Sequence, residues 1–322
     1  MSYLQLTDYE RYQIYILLKA NYSKKEIAVY LERHISTIYR ELQRNTGMRG
    51  YRPKQAQSFT DSRRQNAYKT RKLTDEIVGH IKTLIKQELS PEQITGYLLK
   101  HKGLKLHHET IYQWVYTNKA QGGQYYKHLR IMSKPYRKRY GHYDKRGKIS
   151  NRVSIEQRPV IVDKKSRIGD WEGDTIVGKG RKSALLTLVE RKSLYTIIAK
   201  LDGKHSEPLA KQMVSHMKPF NDRVKTITLD NGLEFSAHQK IAGALDANIY
   251  FAHPYASWER GINENTNGLI RQYFPKGTDF KNVTEEQIQF VMDRLNSRPR
   301  KTRNYKSPNE IFLGQQADLL VA

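Results

Sequence analysis

The sequence predicts a multidomain chain in which all-α helix-turn-helix modules precede an α/β core. Three observations predict it. Paired helix-start signals separated by short breaks occur twice before residue 120. The apolar rhythm changes from helical spacing to strict alternation near Ile168. The 57 Lys and Arg outnumber the 32 Asp and Glu for a net +25 over 322 residues, and the excess lies ahead of that change.

Residues 1–160 carry 32 basic and 13 acidic side chains, net +19, whereas the remainder carries 25 and 19, net +6. An excess of this size repels itself unless a polyanion is present, and nucleic acid is the first candidate. No basic amphipathic anchor or lipidation motif points to a membrane. The absence of cysteine excludes a disulfide framework and any Cys-based zinc finger. It fits a reducing, cytoplasmic location. The first residues lack an apolar signal segment, and no apolar run approaches the roughly 18 residues of a membrane span.

In the first module, 1–50, Thr7 with Glu10 and Ser23 with Glu26 form capping boxes. The first opens a helix with Ile14, Leu17 and Leu18 on one side, and the second a short helix with Ile27, Ala28 and Leu31 inward. A break at Glu32–Ile35 follows. Ser36 then precedes a third helix, Thr37 to Arg44, that buries Ile38 and Leu42. Helix, tight break, helix is a helix-turn-helix. The third helix would lie in a major groove and offer Thr37, Tyr39, Arg40 and Arg44 to DNA.

Residues 51–72 are basic, polar and poor in apolar side chains, and read as a linker. The pattern restarts in 73–120. Ile77, Ile81, Leu84 and Ile85 are helix-spaced, and Ser90-Pro91-Glu92-Gln93 is a strong helix start. After Gly103 a helix from about His108 to Tyr116 turns Ile111, Trp114 and Val115 inward, and Thr110 and Gln113 outward to DNA. Residues 121–165 read as a basic tether. There Arg137, Lys138 and Arg139, then Lys145 and Arg146, alternate with Tyr136, Tyr140 and Tyr143, a mixture suited to phosphate contact and stacking.

From about Ile168, period two and β-formers take over. Strands are expected at Asp170–Val177, Ala184–Arg191 and Tyr195–Leu201, then a helix at Ser206–Met217. A strand at Val224–Leu229, a helical stretch from His238 to Leu245 and a strand at Ile249–Phe251 follow. A long helix then runs from about Arg260 to Tyr273. This is the element order of an RNase H-like (retroviral-integrase-like) α/β core, placed at 166–322. Glu285–Leu295 adds a helix, and the tail beyond reads as irregular.

Phosphoryl transfer on DNA calls for neutralised charge and an aligned nucleophile. Two hard cations about 4 Å apart supply both and take oxygen ligands. Strand-borne Asp174, Asp230 at a strand end before Asn231-Gly232, and Glu264 on the long helix could converge on such ions. Asp170 and Glu172 share a strand face with Asp174, and Glu234 and Glu259 compete with Asp230 and Glu264, so spacing alone leaves the set open. Arg260, Asn267 or Gly268, and Arg271 share the helix face of Glu264, where a cation would grip the DNA backbone. His101, His107 and His108 lack a fourth zinc ligand. His253, near the acids, could donate to a phosphate.

Four stretches together are distinctive: Ser36-Thr37-Ile38-Tyr39-Arg40-Glu41-Leu42-Gln43-Arg44-Asn45; His108-Glu109-Thr110-Ile111-Tyr112; Gly169-Asp170-Trp171-Glu172-Gly173-Asp174; and Asp230-Asn231-Gly232 with Trp258-Glu259-Arg260-Gly261-Ile262-Asn263-Glu264-Asn265. With them the chain resembles, over nearly its whole length, the insertion-sequence-thirty (IS30-type) family of bacterial DDE transposases. The resemblance implies Asp174, Asp230 and Glu264 as ligands of two Mg²⁺ (or Mn²⁺) ions, and a basic residue seven places after the Glu, here Arg271. It also implies two N-terminal units that read terminal inverted repeats of double-stranded DNA, and action on transposon ends and target DNA as a homodimer or larger multimer. Two positions depart from the pattern. Glu32 stands where a turn Gly is usual, which calls for an unfavourable φ or a different turn. His107 stands where a capping Ser is usual, at a cost of about 1 kcal/mol.

Overall fold

The computed structural model describes residues 5–67, 73–129, 149–203, 205–254, 256–316 and 318–320. The chain divides into two compact units, Met1–Lys72 and Leu73–Ala322. Among the described residues, no helix is long and apolar enough to cross a membrane.

In the first unit, α1 (Asp8–Lys19) and α2 (Lys24–Tyr30) open on the two expected capping boxes, at Thr7 with Glu10 and Ser23 with Glu26. The third helix, α3 (Ile35–Asn45), starts two residues earlier than the expected Thr37. Its cap is His34, whose ring nitrogen accepts the Ser36 N–H at 3.2 Å. The turn before it places Glu32 at φ +51°, so the residue that replaces a turn glycine does carry the left-handed backbone. Ile14, Ile27, Ala28, Ile38 and Ala56 close the core.

A two-stranded hairpin, β1 (Thr46–Gly47) and β2 (Gly50–Tyr51), leads into α4, Pro53–Asn66. The expected linker over 51–72 is thus corrected over most of its length. Hydropathy hid this helix because only Pro53 and Ala56 are buried on it and the rest of its inner face is polar. Gln57 accepts from Arg11 at 2.7 Å, and Arg63 reaches the Arg44 carbonyl at 3.2 Å, where it caps the end of α3. Beneath it, Arg11 donates to buried Glu41 at 2.8 Å, and the Tyr51 hydroxyl donates to the same carboxylate at 3.1 Å.

The second unit begins with α5 (Asp75–Lys86), α6 (Pro91–Lys102) and α7 (His108–Ala120), packed through Ile81, Leu84, Ile94, Leu98, Ile111 and Val115. His107 caps α7 and accepts the Glu109 N–H at 3.3 Å. Part of the expected tether is ordered: short helical turns at Tyr125–His128 and Ile155–Gln157, and α8 (Val160–Lys164).

The sheet follows as β3 (Asp170–Val177), β4 (Ala184–Glu190), β5 (Thr196–Leu201), β6 (Thr226–Leu229) and β7 (Asn248–Phe251), in spatial order β5-β4-β3-β6-β7. The first three form an antiparallel meander, and β6 and β7 add in parallel. Helices α9 (Ser206–Met217) and α10 (His238–Leu245) cover the face of Trp171, Leu186 and Leu188. Helices α11 (Gly261–Tyr273) and α12 (Glu285–Ser297) cover the opposite face at Ile176, Leu185 and Ile198. This is the RNase H-like arrangement the element order called for.

The tail is more regular than expected. Ser307 and Glu310 form a capping box that opens α13, Pro308–Phe312. Further on, buried Leu319 joins the core of α5–α7. There Gln87 donates to the Leu319 carbonyl at 2.7 Å, and the Leu319 N–H donates to the Tyr97 hydroxyl at 2.9 Å. Glu310 pairs with Lys100 of α6. Gly96 lies flat on Tyr305, where a Cβ would meet the ring at 2.1 Å. The tail therefore fastens the second helical module to the α/β core.

Candidate active site and DNA-facing helices

Side chains alternate along β3, so Asp170, Glu172 and Asp174 all face α11. Their partners tell them apart. Asp170 is held by Arg167 at 2.9 and 3.0 Å and by the Thr226 hydroxyl at 2.8 Å. Glu172 pairs with Arg191 at 2.7 Å and accepts the Asn263 N–H at 2.9 Å, and so anchors the first turn of α11. Both are buried and structurally occupied. Asp174 instead takes the Thr175 N–H at 2.8 Å and the Asn267 amide at 2.9 Å, and turns toward Arg260.

Asp230 follows β6, and one of its oxygens accepts the Gly232 N–H at 2.9 Å. The turn is tight: a Cβ on Gly232 would meet Glu234 at 2.5 Å and Asp230 at 2.9 Å. Arg260 stands between the two aspartates, 3.5 Å from Asp174 and 3.6 Å from Asp230, and donates to the Gly173 carbonyl at 3.1 Å. Burial raises the Asp174 carboxyl above its ordinary range; Arg260 draws it back and Asp230 adds to the rise.

Glu264 does not join them. Its side chain is exposed on α11, and among the described residues no three His, Asp or Glu stand close enough to hold a metal. Of the three acids expected to share a pocket, Asp174 and Asp230 stand together on either side of Arg260, and Glu264 stands apart from them. The pair still fits a hard divalent ion: a carboxylate on β3 and another just past β6 face the point that the Arg260 guanidinium fills. Glu264, one turn beyond Arg260, would complete the set.

Both expected backbone grips on α11 turn inward. Arg260 faces the acids with 11% of its side chain exposed. Arg271 donates to the Val177 carbonyl at 2.7 Å and leans on those of Phe274 and Pro275. Of the competitors, Glu234 accepts from the Thr175 hydroxyl at 2.9 Å. Glu259 is taken by His253 at 2.7 Å, and the other His253 nitrogen meets Glu156 at 3.2 Å. The Glu259 hydrogen bond raises the His253 pKa, and with both nitrogens engaged the ring is not aimed at a phosphate.

Sequence reasoning missed the frame beneath α11. The Thr187 hydroxyl meets Asn263 at 3.1 Å and Asn267 at 2.9 Å, and Asn267 then orients Asp174. The available signal was the placement of Asn263 and Asn267 four residues apart, on the same side of the helix.

On α3, Tyr39, Arg40 and Arg44 are exposed and Thr37 is half-buried. The Lys24 ammonium lies 4.5 Å from the centre of the Tyr39 ring. A groove of about 410 Å³ lined by Arg40, Arg44, Arg63 and Arg64 runs between α3 and α4. The Arg63-Arg64 pair stands in the stretch whose composition reads as linker, and the structure places it in the last turn of α4. On α7, Gln113 is exposed and donates to Glu109 at 2.8 Å, and Thr110 is half-buried. Arg137, Lys138 and Arg139, with Tyr136, Tyr140 and Tyr143, lie outside the described residues.

Residues 2–45 match a family described as a helix-turn-helix domain. Along the full chain, the transposase for insertion sequence element IS4351 of Bacteroides fragilis is 44% identical, over 95% of each chain. The transposase InsI for insertion sequence element IS30A of Escherichia coli (strain K12) is 37% identical, over 95% of this chain and 83% of that one. Among solved structures, the catalytic core domain of BIV integrase is similar with a TM-score of 0.37 and 18% identity, over 46% of this chain and 95% of that one. The two full-length relatives decide the assignment: the chain belongs to the IS30 family of insertion-sequence transposases.

Proposed function

We propose that this transposase binds the terminal inverted repeats of its element through α3 and α7, and cuts and joins DNA at a site built from Asp174, Asp230 and Glu264. The observation that carries the reading is the Asp174–Asp230 pair: one carboxylate on β3 and one just past the end of β6, both beside the Arg260 guanidinium. Two Mg²⁺ or Mn²⁺ ions bound there would neutralise the phosphate and acidify a water. The chain's own groups do the positioning. Asn267 fixes the orientation of Asp174, and Glu172 with Thr187 fixes α11 and thereby the approach of Glu264. Hydrolysis of one strand leaves a 3′-OH. That hydroxyl then attacks a phosphodiester of target DNA at the same site, forming a new P–O bond as the bond from that phosphorus to the target's own 3′ oxygen breaks and a target 3′-OH leaves. Joining two ends calls for a homodimer or larger assembly, on nucleoid DNA in the bacterial cytoplasm.

The test uses end-labelled inverted-repeat DNA and a scrambled control at fixed salt, with Mg²⁺ or EDTA. Nicking is expected with Mg²⁺ and not with EDTA. Asp174→Asn, Asp230→Asn and Glu264→Gln should each bind ends normally and fail to nick. Retained nicking in Asp174→Asn would reject the site, and cognate binding without any nicking would point to a DNA-binding regulator.

A further inference from the structure

Arg260 is the residue at the acid pair whose placement the reading above does not use. It precedes the first residue of α11 with a non-helical backbone, φ −122° and ψ 38°. Its side chain is among the less exposed at the site, 11% against 23% for Asp174 and 28% for Asp230. The seat is nevertheless poor. Contacts of 3.5 and 3.6 Å to the carboxylates exceed the roughly 2.7–2.9 Å of a well-formed charge-assisted hydrogen bond. It donates within ordinary hydrogen-bond range to the Gly173 carbonyl at 3.1 Å, and its Nε is buried without a partner. An arginine built for a permanent ion pair would present its fork to one carboxylate, as Arg167 does to Asp170.

The geometry points to Arg260 as a built-in counter-ion for Asp174 and Asp230 that a divalent cation must displace, so that seating of the guanidinium and loading of the cation exclude one another. The inference rests on the reading that these acids bind metal. Mg²⁺ sits about 2.1 Å from its oxygens, so an ion shared by both acids occupies the space the guanidinium fills. It also brings twice the charge. Displacement leaves Asp174 in place, because the Asn267 amide and the Thr175 N–H hold it from other sides. The arginine thus occupies the point between the two carboxylates until an ion arrives, and sets the concentration at which loading occurs.

The test measures Mn²⁺ uptake by the full chain from the electron paramagnetic resonance signal of free Mn²⁺. Arg260→Gln should bind Mn²⁺ about tenfold more tightly if the guanidinium is seated in about 90% of molecules, since apparent affinity scales with the competent fraction. In the unaltered chain, Mn²⁺ should speed phenylglyoxal labelling of Arg260, read by peptide mapping. This second measurement decides the matter if Arg260→Gln does not fold. Equal or weaker Mn²⁺ binding by folded Arg260→Gln overturns the counter-ion role, as does labelling that Mn²⁺ leaves unchanged or slows. If Asp174→Asn has meanwhile lost Mn²⁺ uptake, the metal reading stands without it. Wild-type uptake by Asp174→Asn overturns the metal reading and the counter-ion role together.

Discussion

Replacing Glu41 by Gln should unfold the first unit selectively. Glu41 and Arg11 are buried, with 7% and 4% of their side chains exposed. The carboxylate takes Arg11 at 2.8 and 3.3 Å and the Tyr51 hydroxyl at 3.1 Å. Glu41→Gln keeps the shape and leaves a buried guanidinium without its counter-charge, a loss of about 3–5 kcal/mol. A unit of this size, Met1–Lys72, has a total stability of roughly 4–11 kcal/mol. At about 4–8 °C per kcal/mol, its melting temperature should fall by at least about 12 °C. The three tryptophans, Trp114, Trp171 and Trp258, all lie in the second unit. Tryptophan fluorescence therefore follows that unit alone, and far-UV circular dichroism follows both. The expected result is an early circular dichroism transition with an unmoved fluorescence transition. A shift under about 4 °C would refute the reasoning, because the pair would then contribute no more than an exposed ion pair of about 1 kcal/mol. The double variant Arg11→Met/Glu41→Leu removes both charges and should recover most of the loss.

Glu32→Gly should raise the first transition by about 0.5–1 kcal/mol, because φ is +51° there and glycine carries no steric penalty at that backbone; a lowered transition would count against it. Leu319→Ala should cost the second unit about 2–5 kcal/mol in urea titrations read by tryptophan fluorescence, and no change would mean that the tail does not complete the α5–α7 core. Burial alone would raise the Glu310 carboxyl, but Lys100 and the Ser307 N–H more than offset it, so the net shift is downward from 4.5. A depressed folded-state value contributes stability above the unfolded one and loses it as pH falls through the folded one. The fluorescence transition should therefore decline below about pH 4.5, and Lys100→Met should shrink that decline; an identical acid limb would argue against the pair.

Much of the fold was legible because its signals are local. Capping boxes at Thr7 and Ser23 and the Ser90-Pro91 start marked helices, and alternation from Asp170 onward marked strands buried on alternate faces. What escaped was non-local or polar. Helix α4 buries only Pro53 and Ala56 and sets half-buried Gln57 and Thr60 against Arg11 in place of a long apolar stripe, so hydropathy missed it. The Ser307-Pro308-Asn309-Glu310 start was as plain as Ser90-Pro91-Glu92-Gln93, yet a chain end invites neglect. At the site, strand periodicity could not separate Asp174 from Asp170 and Glu172, because all three share a face. Only their arginine and amide partners, from 3 to 93 residues away, separate them. No spacing rule foretold Arg260 between the aspartates: a cation on the same helix as Glu264 can point outward to DNA or inward to the acids, and the choice depends on side-chain packing.

The bond between Leu319 and Tyr97 spans 222 residues of chain. During synthesis, the second helical module leaves the ribosome long before Leu319 is made. Until then a nascent chain carries α5–α7 with an open apolar slot and an unfastened α6. Premature termination just upstream of Leu319 would therefore yield a protein with its first unit whole and the α5–α7 core of its second unit poorly supported.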